Sequence, residues 1–262
     1  MSIALARLRG SAPLRRVEID PAGRVQLDGQ WRAGAEIAWD VPTSGGVYGT
    51  LHNFRGALEA LGNAIHEPPY VAPPKAPVLY VKPANTWIGY GSAIPVPAGV
   101  PALRMGGTVG IVIGRAASRV SEAQALSFIG GYTVVNDVSV PHDNFYRPAI
   151  REKCRDGFCP IGPWVLAAEH VKDPAALTVR TLVNGKLQLE KSLGELVRSI
   201  PRLIADVTAF MTLAEGDVLL PAVSETGPLA SAGDTVAIEV AGVGRLENPL
   251  VNQAEVIAGE LR

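Results

Sequence analysis

Between Asn136 and Gly162 the chain gathers Asp137, His142, Asp143, Tyr146, Arg147, Lys153, Arg155 and Asp156, a concentrated run of reactive side chains. Asp137 stands apart, because it directly follows Asn136 at the end of an apolar segment, where a carboxylate must face water or find a partner. Pairing with a cation and ligation of a metal ion are both open to it. Lys153 and Arg147 supply fixed positive charge suited to a carboxylate-bearing substrate, which an arginine can hold bidentately. The same cations can instead pair with Asp143, Glu152 and Asp156. His142 follows a proline and has the chemistry of a general base, although a single loop histidine is more often a surface residue. Cys154 and Cys159, in CRDGFC, match neither a C-x-x-C redox pair nor a zinc half-site and read as reduced thiols. The chain carries no G-x-S-x-G elbow, P-loop or H-E-x-x-H motif, and the glycines of GGTVGIVIG fall in and around a strand instead of between a strand and a helix.

A rigid sheet has to hold such a loop. GTVGIVIG is a continuous apolar run that suits a buried strand, and TVVNDVSV delivers Asp137 from a second one. Upstream, residues 1–45 read as a small separate unit, with VEID and VQLDG forming a hairpin around Pro21-Ala22-Gly23. Leu58, Leu61 and Ile65 recur at helical spacing. VLYVK and WIGYG read as strands within a proline-rich stretch. Ser121 opens a predicted helix over SEAQALSFIGGY. Asn184-Gly185 marks a hairpin between LTVRTLV and KLQLEK. SLGELVRSIPRLIADVTAFMTL is the best amphipathic helix candidate, with Pro201 placed to kink it.

Composition narrows the function classes. Of 262 residues, 47% are hydrophobic and 19% charged, with 24 basic against 25 acidic side chains. That balance lacks the clustered cations of a nucleic-acid or anionic-membrane binder and excludes global disorder. With 28 glycines and 21 prolines, the chain favours short strands and tight turns. MSIALARLRG has arginines where a signal peptide needs an apolar core, and no segment has the unbroken apolar length of a membrane span, so a cytoplasmic protein is expected.

KPANTWIGYGSAIPVP, GTVGIVIGR, GYTVVNDVSV, KCRDGFCPIG, LVNGKLQ, EGDVLLP and GDTVAIEVAGVGRLENP, in this order, resemble the fumarylacetoacetate hydrolase family over roughly residues 46 to 252. FYRPAIREKCRDGFCPIG and GTVGIVIG are most similar to the N-terminal half, or first subunit, of its isomerase/decarboxylase branch in 4-hydroxyphenylacetate breakdown. The resemblance implies a mixed, mostly β-roll fold with few helices, here in a domain over residues 46–262. It also implies removal of a carboxylate from an oxo-tricarboxylate and isomerisation of 2-hydroxyhepta-2,4-dienedioate to its 2-oxo form. The expected ligand is thus a small 2-oxo dicarboxylate. The expected assembly is a homodimer or a hetero-oligomer with a sister subunit.

By the same resemblance, family members hold a divalent cation, usually magnesium, between two glutamates of an E-x-E strand and a later aspartate. The aspartate is Asp137, but the glutamate positions are Gly106 and Thr108, neither of which can replace an anionic ligand. One carboxylate binds magnesium far more weakly than three, so the metal is not assured. Ala57 stands where the family's N-Y-x-x-H segment has a histidine base, and Ala222-Val223-Ser224 replaces its G-T-P turn. Lys153 and Asp137 remain as catalytic candidates, with Asp156 also retained, and Arg147, Tyr146, Asn53 and Lys82 as substrate-binding candidates. Besides the enzyme, the departures leave two other readings: a non-catalytic partner of a metal-bearing sister chain, and an acylpyruvate-type hydrolase in which Asp143 or His142 replaces the missing base.

Overall fold

The computed structural model describes residues 1–68, 70–142 and 147–260, with side chains described up to residue 256. A long sheet organises the chain. Its order runs Gln30–Ala33, Arg24–Leu27, Arg15–Ile19, Ser2–Leu8, Cys159–Ala167, Ile129–Asn136, Gly107–Ile113, Val218–Leu220, Val47–Leu51, Val78–Lys82. Neighbours along this path are antiparallel except Val218–Leu220 with Val47–Leu51. A five-stranded sheet, from Lys186–Ser192 through Thr178–Val183, Thr235–Val240 and Gly244–Asn252 to Ile94–Val96, packs against it. The mostly β architecture is the one the resemblance implied.

Gly107–Ile113 shows why a continuous apolar run suits this place. Val109, Ile111 and Ile113 enter the main core, while Val112 joins Val47, Val135, Ile161 and Val218 in a second cluster. Alternating side chains thus bury both faces of the strand. The hairpin around Pro21-Ala22-Gly23 forms between Arg15–Ile19 and Arg24–Leu27, and Asn184 and Gly185 turn at φ 51° and 74°. Residues 1–45 join the long sheet directly, because Ser2–Leu8 pairs with Cys159–Ala167.

Three sequence expectations are corrected. After Ser121 the chain makes a 3-10 helix over Glu122–Phe128, and Ile129–Tyr132 belongs to a strand, where β-branched and aromatic side chains pack between sheets. The amphipathic candidate is α-helical only over Ile200–Thr208. Its kink is absent because Pro201 lies in the first turn, where no backbone N–H is required, and the Ser199 hydroxyl accepts from Arg202 N at 3.3 Å as the cap. Among the described residues no helix is long and apolar enough to cross a membrane.

Candidate active site

Asp137 leaves the end of the strand Ile129–Asn136, and neighbouring backbone locks its position. Its N–H donates to Gly106 O at 2.9 Å, while the Asn136 side chain accepts from Gly106 N at 3.0 Å. A side chain cannot enter at Gly106, since a Cβ there would lie 2.4 Å from the Asp137 carbonyl oxygen. Thr108 points its hydroxyl to Ala222 O at 2.6 Å.

The edge strand Val78–Lys82 sends two alternate side chains, Tyr80 and Lys82, to the same carboxylate. Tyr80 Oη donates to Asp137 Oδ2 at 2.5 Å, and Lys82 Nζ lies 2.9 Å from Oδ1. Gly49, opposite Tyr80 on the neighbouring strand, makes room for the phenol, because a Cβ there would sit 2.0 Å from the ring. Lys153, at the end of the short helix Ile150–Lys153, reaches Asp137 Oδ2 at 2.5 Å and lies 4.6 Å from the Tyr80 ring centre. Lys82 Nζ also donates to the carbonyl oxygens of Lys153 at 2.6 Å and Val138 at 3.1 Å, which ties the lysine-bearing turn to the edge strand.

The electrostatics follow from burial and pairing. Burial alone would raise the Asp137 carboxyl, but Lys153, Lys82 and Tyr80 together hold it well below the usual carboxylate range. Burial lowers the Lys153 ammonium, partly opposed by Asp137 and reinforced by Lys82. The Tyr80 phenol is raised, first by burial and then by Asp137. Asp137 with two lysines leaves the cluster one positive charge.

This arrangement does not fit the family's metal. Both Asp137 oxygens already face cations or a phenol, and among the described residues no group of three or more His, Cys, Asp or Glu is placed to hold an ion. The two glutamates and the dication of the family cage carry equal and opposite charge, so losing all three leaves the net charge unchanged. A dication added to the present cluster would instead face two ammonium groups.

Two adjoining cavities reach this region. The smaller, about 20 Å³, touches Asp137, Lys153, Gly106 and Val223. The larger, about 420 Å³, is lined by His52, Phe54, Ala57 and Lys191 among others. Arg104, His142, Ser224 and Glu225 belong to both walls. Lys153 and Asp137, the catalytic candidates, thus meet at one cavity, and His142 joins them with Nδ1 2.9 Å from Val140 O. The substrate-binding candidates are dispersed. Asn53 is buried, donating to Arg198 O and Pro221 O at 3.1 and 2.8 Å and accepting from Arg198 N at 2.8 Å. Lys82 is fully buried beneath Asp137. Arg147 is exposed, and Asp156 accepts from Asn85 at 2.7 Å. Tyr146 and Asp143 lie outside the described residues.

Sequence reasoning missed Tyr80, Arg104, Lys191, His52 and Glu225. Tyr80 alone left a signal, two residues before Lys82 on an alternating strand. The others are joined only by the fold.

The fumarylacetoacetate (FAA) hydrolase C-terminal family model matches residues 46–251. A curated relative, the 4-hydroxyphenylacetate degradation bifunctional isomerase/decarboxylase of Escherichia coli, is 40% identical over 81% of this chain and 48% of its own length. The chain therefore spans about half the length of that relative. The crystal structure of 5-carboxymethyl-2-hydroxymuconate delta-isomerase from Mycobacterium smegmatis matches with TM-score 0.77 and 30% identity, covering 96% of this chain and 99% of that one. Maleylpyruvate hydrolase from Sphingobium sp. SYK-6, in complex with manganese(II) and pyruvate, shares the fold with TM-score 0.74 at 20% identity, covering 95% and 99% of the two chains.

Proposed function

From the premise that this chain belongs to the fumarylacetoacetate hydrolase family, we propose that it is an isomerase/decarboxylase of aromatic catabolism acting on small 2-oxo dicarboxylates without a metal ion. The observation that carries this reading is the buried, singly positive Lys153–Asp137–Lys82 cluster at the wall of the cavity system. Both reactions develop negative charge on a 2-oxo oxygen, as an enolate. A fixed ammonium in a water-poor site stabilises that charge without reorganising. Of the two lysines, Lys153 borders the smaller cavity, and its ammonium has donors beyond the one used by Asp137. Lys82 and Tyr80 position Asp137, which in turn holds Lys153. Arg104, spanning both cavity walls, offers a fork for a substrate carboxylate.

A second reading is favoured by the joint replacement of Gly106, Thr108 and Ala57: a non-catalytic partner of a metal-bearing sister chain, in a homodimer or hetero-oligomer of the family fold. The acylpyruvate hydrolase reading has less support, since Ala57 itself lines the larger cavity at the family's base position. The discriminating experiment follows ketonisation of 2-hydroxyhepta-2,4-dienedioate, by loss of dienol absorbance, in chelator and in excess magnesium. Turnover well above buffer that survives chelator is the expected result. A rate equal to buffer in both conditions rejects the enzyme reading in favour of the partner reading, and dependence on magnesium rejects the metal-free one.

A further inference from the structure

Outside the lysine cluster, a second, largely buried ionisable pair borders the larger cavity. His52 follows the strand Val47–Leu51 with its backbone at φ 54°, a left-handed conformation that costs energy for a side chain of this size. Glu225, across the chain, holds it there: Glu225 Oε1 accepts from His52 N at 3.0 Å and lies 3.3 Å from His52 Nδ1. The imidazole meets the Tyr70 ring edge-on, with centroids 6.2 Å apart. Burial would raise the Glu225 carboxyl, yet the His52 side chain and backbone N–H lower it below its ordinary value. The other Glu225 oxygen, Oε2, is buried with no hydrogen-bond partner among the described residues. Both side chains line the larger cavity, where Arg104, His142 and Lys191 are the other titratable or charged groups, and Glu225 also borders the smaller one beside Lys153.

The geometry points to His52, oriented by Glu225, as the proton-transfer group of this site, occupying a different place in the chain from the base that Ala57 lacks. A strained residue at the wall of the larger cavity, held by a largely buried carboxylate that also borders the smaller cavity beside Lys153, is the arrangement of a base with its positioning residue. The inference rests on the isomerase reading above and adds the group that reading leaves unnamed. In the isomerisation the imidazole takes the enol hydroxyl proton as that C–O bond becomes a carbonyl. The C=C electron pair forms the new C–H bond with the proton the imidazolium returns, so atoms, electrons and protons balance. Lys153 stabilises the enolate oxygen between the two transfers. Glu225 acts through His52 and is a positioning residue.

The test uses the full chain with two substitutions that respect the left-handed backbone, His52→Gly and His52→Asn, since glycine and asparagine adopt it most readily. Ketonisation of 2-hydroxyhepta-2,4-dienedioate is followed alongside thermal melting. The expected result is a kcat loss of about 10²- to 10⁴-fold in both variants. KM should change by less than about threefold. Added imidazoles should partly restore the His52→Gly variant, with rates ordered by their basicity, and Glu225→Gln should lower kcat with KM held. A purely structural role predicts losses that follow the melting temperature and no rescue, and that result overturns the inference. Wild-type rates in both His52 variants, with Lys153→Met strongly impaired, overturn it while the isomerase reading stands. A wild-type chain no faster than buffer overturns both.

Discussion

Asp137→Asn keeps the shape of the side chain and removes its charge, so it isolates what the carboxylate does for two buried lysines. The Lys82 side chain is 0% exposed and that of Lys153 9%, and each ammonium lies within 3 Å of Asp137. Removing one partner of a buried ion pair costs about 3–5 kcal/mol, because the remaining charge stays desolvated and uncompensated. Lys82 keeps two carbonyl acceptors, which places the expected loss toward the lower end of that range. At roughly 2–4 °C per kcal/mol for a chain of this size, the melting temperature should fall by on the order of 10 °C. The pH dependence carries the sharper signature. Burial already lowers Lys153, and removing Asp137 takes away the group that opposes that shift. Through the interval between a lowered folded value and the ordinary lysine pKa of about 10.4, the unfolded state binds more protons, so the variant gains stability as pH rises. Urea unfolding of both proteins at about pH 7 and about pH 10 should therefore show a deficit that is full at the lower pH and smaller at the higher. A deficit below about 1 kcal/mol at neutral pH, the range of exposed pairs, would refute the reasoning, as would one unchanged between the two pH values.

Trp39 is fully buried, donates from Nε1 to Gly34 O at 2.7 Å and packs edge-on to Trp164 with centroids 5.9 Å apart. Trp39→Ala should cost about 3–5 kcal/mol in one cooperative transition, and two separate transitions would contradict the continuity of residues 1–45 with the long sheet. The paired change Gly106→Glu with Thr108→Glu restores the family's ligand types but places a Cβ 2.4 Å from the Asp137 carbonyl oxygen. It should destabilise the fold, and magnesium should leave its melting temperature unmoved. A magnesium-dependent rise would show that the backbone can reopen the cage. Folded-state Asp137 and Glu225 both lie below their ordinary values, so the stability they contribute is complete above about pH 5 and is lost as pH falls through those lowered values. Urea midpoints should fall on acidification, and less steeply in Glu225→Gln; a midpoint that rises would contradict the sign.

What the sequence made legible was whatever local pattern dictates. The apolar run at Gly107–Ile113, the Asn184-Gly185 hairpin and the placement of Asp137 at a strand end all follow from residues adjacent in the chain. So does the absence of glutamates at Gly106 and Thr108. Helix extents were less legible: Glu122–Phe128 has helical spacing but precedes a strand that takes Ile129–Tyr132 into the sheet. Lys153 and Lys82 were legible as candidates but their convergence on Asp137 was not, and Tyr80, 57 positions from Asp137, left only its spacing from Lys82, since its approach depends on Gly49 in the adjacent strand. His52 and Glu225, 173 positions apart, left no signal.

The misfit to the family's metal lies in the backbone as well as in the side chains. If only Gly106 and Thr108 had changed, a hole lined by one aspartate would remain, and a carboxylate with open coordination is still a weak cation site. Here the Gly106 backbone lies close enough to Asp137 to exclude a side chain, Thr108 is turned to Ala222 O, Asp137 Oδ2 accepts from Tyr80 and Lys153, and Oδ1 faces the Lys82 ammonium. Because the absent glutamates and cation cancel in charge, the surviving cluster keeps the single positive charge that an enolate oxygen requires. On the proposed reading, the ammonium of Lys153 stabilises the charge and the His52–Glu225 pair moves the proton. Glu225 borders both cavities, so the two functions share one wall; of the cage residues only Asp137 is used, to hold Lys153, and neither function needs the two glutamates.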